Sequence, residues 1–220
     1  MIARKLWIKG SLTALVAIVP AVAENAPAIG NTPGDVERGE ELYQLCAQCH
    51  GQSGLGNLEF EAPAIAGLEE WYVESQLMKF RQGLRGMHAQ DLAGLRMRPM
   101  AKTLVHEGDV AAVAAFVATL PAIRPAPVNV GGDAEKGKAY YAVCTTCHGP
   151  QAAGMRKQQA PSLRNASDWY LLAQLKKFKA GIRGTDPRDT ASLLMRPMAM
   201  TLLDEQAMRD VIAYIMALPE

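Results

Sequence analysis

The 220-residue chain is long enough for one large domain or two small ones, and its 49% hydrophobic content is sufficient for packed cores. Its 23 basic and 22 acidic residues give a formal net charge of +1, without the basic excess that nucleic-acid binding needs, so no nucleic-acid partner is expected.

At the N-terminus Arg4, Lys5 and Lys9 precede a short apolar run from Leu12 to Val19, and Ala21-Val22-Ala23 stands before Glu24. This pattern predicts a cleaved secretory signal peptide over residues 1–23 and a periplasmic mature protein. A retained anchor is disfavoured, because Lys9 interrupts the apolar stretch and the remainder is short for a bilayer span.

Shifted by 98 residues, the chain matches itself without a gap. About 35 of 87 aligned positions are identical, which marks a duplication. Asp35 falls on Asp133, Tyr43 on Tyr141, Pro63 on Pro161, and Trp71-Tyr72 on Trp169-Tyr170. The expected layout is a first domain over residues 24–122, a linker over 123–132 and a second domain over 133–220. The stretch Pro121 to Gly132, rich in proline and glycine, has no helical pattern. Each copy reads as all-α. A helix beginning near Gly34-Asp35, and its copy near Gly132-Asp133, should run into the first cysteine. Glu69 to Gln82 carries one apolar face and ends at Gly83. Last helices are expected over about Glu107–Leu120 and Asp204–Leu218. No alternation suggests strands.

Four cysteines in an exported chain suggest disulfides by default, but each pair is followed at once by histidine. Cys46-Ala-Gln-Cys49-His50 and Cys144-Thr-Thr-Cys147-His148 have the C-x-x-C-H spacing of covalent haem c attachment. Both thiols can reach the porphyrin vinyl groups from one helical turn, and the adjacent imidazole can then meet the iron. A thioredoxin-like dithiol would need a βαβ context, and Cys-His adjacency is awkward for tetrahedral zinc. Two haem c groups are therefore expected, with His50 and His148 as axial ligands. A second axial ligand should recur in both copies. His88 and His106 fall on Asp186 and Asp204 and read as surface residues. Met97 and Met100 recur as Met195 and Met198, in an M-R-P-M segment expected to form a loop between two helices.

The duplication, the A-P-x-[IL] segment, the W-Y-x-x-x-Q-L-x-K-F-[RK]-x-G helix and the M-R-P-M-A-x-T-L segment together resemble the dihaem cytochrome c4 family, over the whole mature chain. The resemblance implies two tandem class I cytochrome c folds. It places the ligand methionine seven residues before the leucine of the last helix, at Met97 and Met195, with Met100 and Met198 as second choice. It implies that the Pro63 and Pro161 carbonyls accept the axial histidine N–H groups. It also implies that Gly39, Tyr43 and Phe116, repeated as Gly137, Tyr141 and Tyr214, form a helix crossing. Trp71, Tyr72 and Arg98, with Trp169, Tyr170 and Arg196, are candidates for lining the haem or binding its propionates, set against plain packing.

The expected function is single-electron transfer, not catalysis, because ligation on both sides of the iron leaves no open position. The expected donor is a quinol-oxidising complex or a dehydrogenase, and the family implies a haem–copper oxidase as acceptor. The alternative is an electron-transfer subunit of a periplasmic dehydrogenase or respiratory complex, associated peripherally with the membrane. A dihaem peroxidase or thiosulfate-oxidising enzyme would need a labile ligand and is disfavoured by the duplicated methionines. Residues 24–122 carry 7 basic and 13 acidic side chains, and residues 123–220 carry 13 and 9. The domains are therefore expected to present different partner faces. Lys176, Lys177 and Lys179 are the sharpest local difference, since they fall opposite Met78, Lys79 and Arg81.

Overall fold

A computed structural model describes residues 33–128 and 130–219. The signal-peptide expectation over residues 1–23 lies outside the described residues. The first copy folds into α1 (Pro33–His50), α2 (Glu70–Arg81), α3 (Leu92–Lys102) and α4 (Asp109–Thr119). The second folds into α5 (Ala134–Tyr141), α6 (Thr145–His148), α7 (Asp168–Lys179), α8 (Thr190–Met200) and α9 (Glu205–Ala217). Among the described residues there is no named strand, only the isolated bridges Asn57–Ala62 and Met155–Ala160. None of the described helices is long and apolar enough to cross a membrane.

In each copy the first and last helices cross at a glycine. A Cβ on Gly39 would stand 2.0 Å from the Ala112 carbonyl oxygen, and one on Gly137 would stand 1.9 Å from that of Asp210. Only glycine permits so close an approach of two backbones. The aromatic pairs Tyr43–Phe116 and Tyr141–Tyr214 flank these crossings, with ring centroids 5.1 and 5.3 Å apart. Around them lie two separate cores, one including Leu77, Phe80 and Val113, the other Leu171, Val211 and Ile212.

Two expectations need correction. The M-R-P-M segments are not loops; they lie in α3 and α8, with Pro99 and Pro197 inside the helices. Asp91 and Asp189 start these helices by accepting the Gly94 and Ser192 N–H groups, each at 3.1 Å. Each proline lies in the last turn and sacrifices one ladder bond. Beside it, the Thr103 and Thr201 hydroxyls donate to the Met100 and Met198 carbonyls at 2.7 Å. Nor does the second copy's first helix run into its cysteine: α5 stops at Tyr141. β-Branched Val143, Thr145 and Thr146 replace Leu45, Ala47 and Gln48, which weakens helix propensity there. The Thr145 hydroxyl also donates to the Ala142 carbonyl at 2.7 Å.

The copies meet through α2, α7 and the turns after them, with approximate two-fold symmetry. Lys79 Nζ lies 2.7 Å from Asp189 Oδ1, and Lys177 Nζ lies 2.6 Å from Asp91 Oδ1. Lys177 is thus committed to the domain boundary and not to a partner face. Lys179 donates to the Leu202 and Leu203 carbonyls, and Lys176 pairs with Glu205 at 2.7 Å. The connecting stretch is held to the second copy. Arg124 donates to the carbonyls of Arg164, Met216 and Leu218, and Asp168 accepts the N–H groups of Val128 and Val130.

Candidate functional site

Cys46, Cys49 and His50 lie in the last turn of α1, while Cys147 and His148 close α6 just after Cys144. No disulfide joins the four thiols. Burial pushes the Cys46 and Cys144 thiols up to about 11.

Behind each motif the chain turns back, so that His50 Nδ1 lies 2.8 Å from the Pro63 carbonyl oxygen and His148 Nδ1 lies 2.9 Å from that of Pro161. A carbonyl can only accept, so Nδ1 carries the proton and Nε2 keeps its lone pair. Burial lowers both histidine pKa values, against the opposing effect of the proline carbonyls. Both rings are thereby held neutral, in the tautomer that can bind a metal. Tyr43 and Tyr141 brace the motifs by donating to the Gly51 and Gly149 carbonyls at 2.8 Å.

Both histidines and all four cysteines line one connected cavity of about 960 Å³ that passes through the domain boundary. Met97, Met100, Met195 and Met198 line it as well. Met97 packs against the first core, whereas Met198 is 38% exposed. His88 and His106 are exposed. Trp71, Tyr72, Trp169 and Tyr170 line the cavity, but Arg98 and Arg196 do not. Those two arginines lie against the Gly83 and Gly181 turns, each with a buried Nε lacking a partner.

The cavity-lining arginines at the boundary are instead Arg85 and Arg183, which stack 4.6 Å over the Phe80 and Phe178 rings. Arg85 donates to Gln76 at 3.0 Å, Gln174 at 3.2 Å and the Tyr170 hydroxyl at 2.9 Å. Arg183 donates to Gln174 at 2.8 Å and Gln76 at 3.0 Å. Burial, then the like charge of Arg85, pushes the Arg183 guanidinium below the usual arginine range. Burial alone would raise the Tyr170 hydroxyl, but the two arginines outweigh it and hold it below its ordinary value. Asp91 and Asp189 pair with the two interface lysines. The guanidinium groups thus form hydrogen bonds to neutral oxygens only, and each Nε has no partner. Two like charges held this close, one of them buried, suit an anionic group beside them. Sequence reasoning passed over this pair, although [LI]-R-G recurs in both copies as Leu84-Arg85-Gly86 and Ile182-Arg183-Gly184.

A family model described as "Cytochrome c" matches residues 36–121 and 134–219. The thiosulfate dehydrogenase electron acceptor of Thiomonas intermedia (strain K12) is 35% identical over 174 residues, 73% of each chain. The reduced recombinant cytochrome c4 from Pseudomonas stutzeri superposes with a TM-score of 0.65 at 25% identity, over 86% of this chain and all of that one. The thiosulfate dehydrogenase (TsdBA) from Marichromatium purpuratum gives the same TM-score at 30% identity, over 84% of this chain and 40% of that chain. With each matched domain carrying a C-x-x-C-H motif, the cofactors are two covalently bound haem c groups. The residues fit them. Paired thiols and a correctly protonated imidazole stand at each end of an apolar cavity, and the Arg85 and Arg183 guanidinium groups lining it would suit the cofactors' carboxylates.

Proposed function

Because the chain belongs to the cytochrome c family, as a dihaem protein like cytochrome c4, we propose that it relays single electrons in the periplasm between a dehydrogenase and a haem–copper oxidase. The protein is an electron carrier rather than an enzyme. The observation that carries the relay reading is the one cavity shared by both C-x-x-C-H motifs across the domain boundary. Bound haem c supplies a one-electron Fe(III)/Fe(II) couple at each end of that path.

The chain's residues do the rest. Cys46, Cys49, Cys144 and Cys147 hold the groups by thioether bonds. His50 and His148 ligate through Nε2, oriented by Pro63 and Pro161. Met97 and Met195 would supply the second ligand to each iron, with Met100 and Met198 as second choice; the packing of Met97 on the first core supports that order in the first copy. Arg85 and Arg183, at the domain boundary, would offset the negative charge of the cofactors' carboxylates. Domains spanning 24–122 and 133–220, joined by 123–132, follow removal of the signal peptide 1–23. The dehydrogenase donor is supported by the likeness to a thiosulfate dehydrogenase electron acceptor, and the oxidase by the cytochrome c4 resemblance.

Reductive titration of the purified protein should consume two electrons per chain. The reduced protein should then be reoxidised by a haem–copper oxidase, and the oxidised protein reduced by thiosulfate dehydrogenase with thiosulfate. A different electron count, or no exchange with either protein, overturns the relay. The likeness to TsdBA, of which this chain spans 40%, favours a second reading as a subunit held in a dehydrogenase. Size-exclusion chromatography of native periplasm distinguishes the two by whether the cytochrome elutes alone.

A further inference from the structure

Lys177 is taken up at the domain boundary, Lys179 by the Leu202 and Leu203 carbonyls and Lys176 by an exposed pair with Glu205, and the charge difference between the domains also reaches solvent elsewhere. It does so at two turns of the same build. Asn57 and Ala62 exchange backbone hydrogen bonds of 2.8 and 2.9 Å, and Met155 and Ala160 exchange bonds of 2.8 and 3.2 Å. Glu61 and Gln159 occupy the same left-handed position, at φ 50° and 52°. Each turn leads directly into the proline whose carbonyl meets the axial histidine, so each is anchored beside a haem site. Phe60 and Glu61 line the cavity on one side, and Gln158 and Gln159 line it on the other.

On this shared backbone the side chains are opposite in character. The first turn presents Leu58-Glu59-Phe60-Glu61, and the second presents Arg156-Lys157-Gln158-Gln159, all exposed. Leu58 is 51% and Phe60 45% exposed, and their copies in the second turn are Arg156 and Gln158. Glu61 is offset by an exposed ion pair with Arg96. Glu59, Arg156 and Lys157 make no ion pair among the described residues. Duplicated turns at equivalent places, one acidic and apolar and the other basic, differ in the property that selects encounter partners.

We propose that these turns are docking elements of opposite specificity. The 58–61 turn receives a redox protein whose face carries basic residues around an apolar centre. The 156–159 turn receives one with an acidic face. This deepens the relay reading and rests on it, since each partner exchanges electrons through the haem site beside its own turn.

The test is stopped-flow electron exchange at low ionic strength with two probes. One is a lysine-faced mitochondrial-type cytochrome c; the other is an acidic-faced plastocyanin. E59K should slow exchange with the basic probe about threefold and spare the acidic one, and E59Q should have a smaller effect in the same direction. R156E/K157E should slow exchange with the acidic probe about tenfold and spare the basic one. Both losses should shrink as salt rises. All altered side chains are exposed, and unchanged visible spectra would verify that each variant retains both haems. Unaltered rates, or equal losses with both probes, overturn the proposal while leaving the relay intact. Failure of the unaltered protein to exchange with either probe or with the enzymes above overturns the relay itself.

Discussion

Lys177 Nζ lies 2.6 Å from Asp91 Oδ1 across the domain boundary, and Lys79 and Asp189 make the symmetry-related contact at 2.7 Å. The lysine side chains are only 17% and 14% exposed, so these pairs join the domains from within. Each aspartate also caps the helix that carries its domain's shared methionines. Domain docking and the placement of α3 and α8 therefore depend on the same carboxylates.

Removing one member of such a pair leaves the other charge buried. Lys177→Met should destabilise the holoprotein by about 3 kcal/mol, measured by denaturant unfolding followed at the haem absorbance. Lys176→Met, on an exposed pair, should change stability by less than about 1 kcal/mol. Equal effects would show that the boundary pair contributes no more than a surface one.

The acid limb of stability should depend on these aspartates. Burial would raise both carboxyls, but the hydrogen bond and charge of Lys177 on Asp91, and of Lys79 on Asp189, outweigh it and hold them below the usual carboxylate range. A depressed folded-state pKa stabilises fully above the unfolded value of about 3.9 and loses that contribution as pH falls through the lower folded value. Unfolding free energy measured against pH should therefore fall below about pH 4. Asp91→Asn with Asp189→Asn, which keeps a capping oxygen, should flatten that limb. An unchanged slope would place the acid sensitivity elsewhere.

Met97→Ala and Met195→Ala should each remove about half of the weak sulfur-to-iron charge-transfer absorption of the oxidised protein. Met100→Ala and Met198→Ala should leave it intact. The reverse pattern would transfer the ligand role to Met100 and Met198.

Gly39→Ala should cost at least about 1–3 kcal/mol, because its Cβ would meet the Ala112 carbonyl oxygen at 2.0 Å and neither backbone can yield locally. Thermal unfolding should show the loss in the first domain's transition, and Gly137→Ala should show it in the second. A melting profile unchanged by both would mean that the crossings relax without cost.

The haem chemistry was legible in the sequence because it is local. Two thiols and an imidazole within five residues define an attachment site whatever the rest of the chain does, and repetition at a spacing of 98 singles out Met97 and Met100 from eleven methionines. The crossing glycines were legible through the family resemblance, and their backbone contacts bear this out. Tertiary structure decided what depends on partners distant in sequence. It drew the M-R-P-M segments into helices, because the aspartate caps and threonine hydroxyls offset the interruption by proline. It turned Lys177 from a surface charge into a buried tie, because its carboxylate partner lies 86 residues away. It also brought Arg85 and Arg183 together at the boundary, where duplication places like charges face to face. Sequence alone marks these two arginines as repeated; only the packing of one domain on the other makes them a pair that shares the Gln76 and Gln174 oxygens.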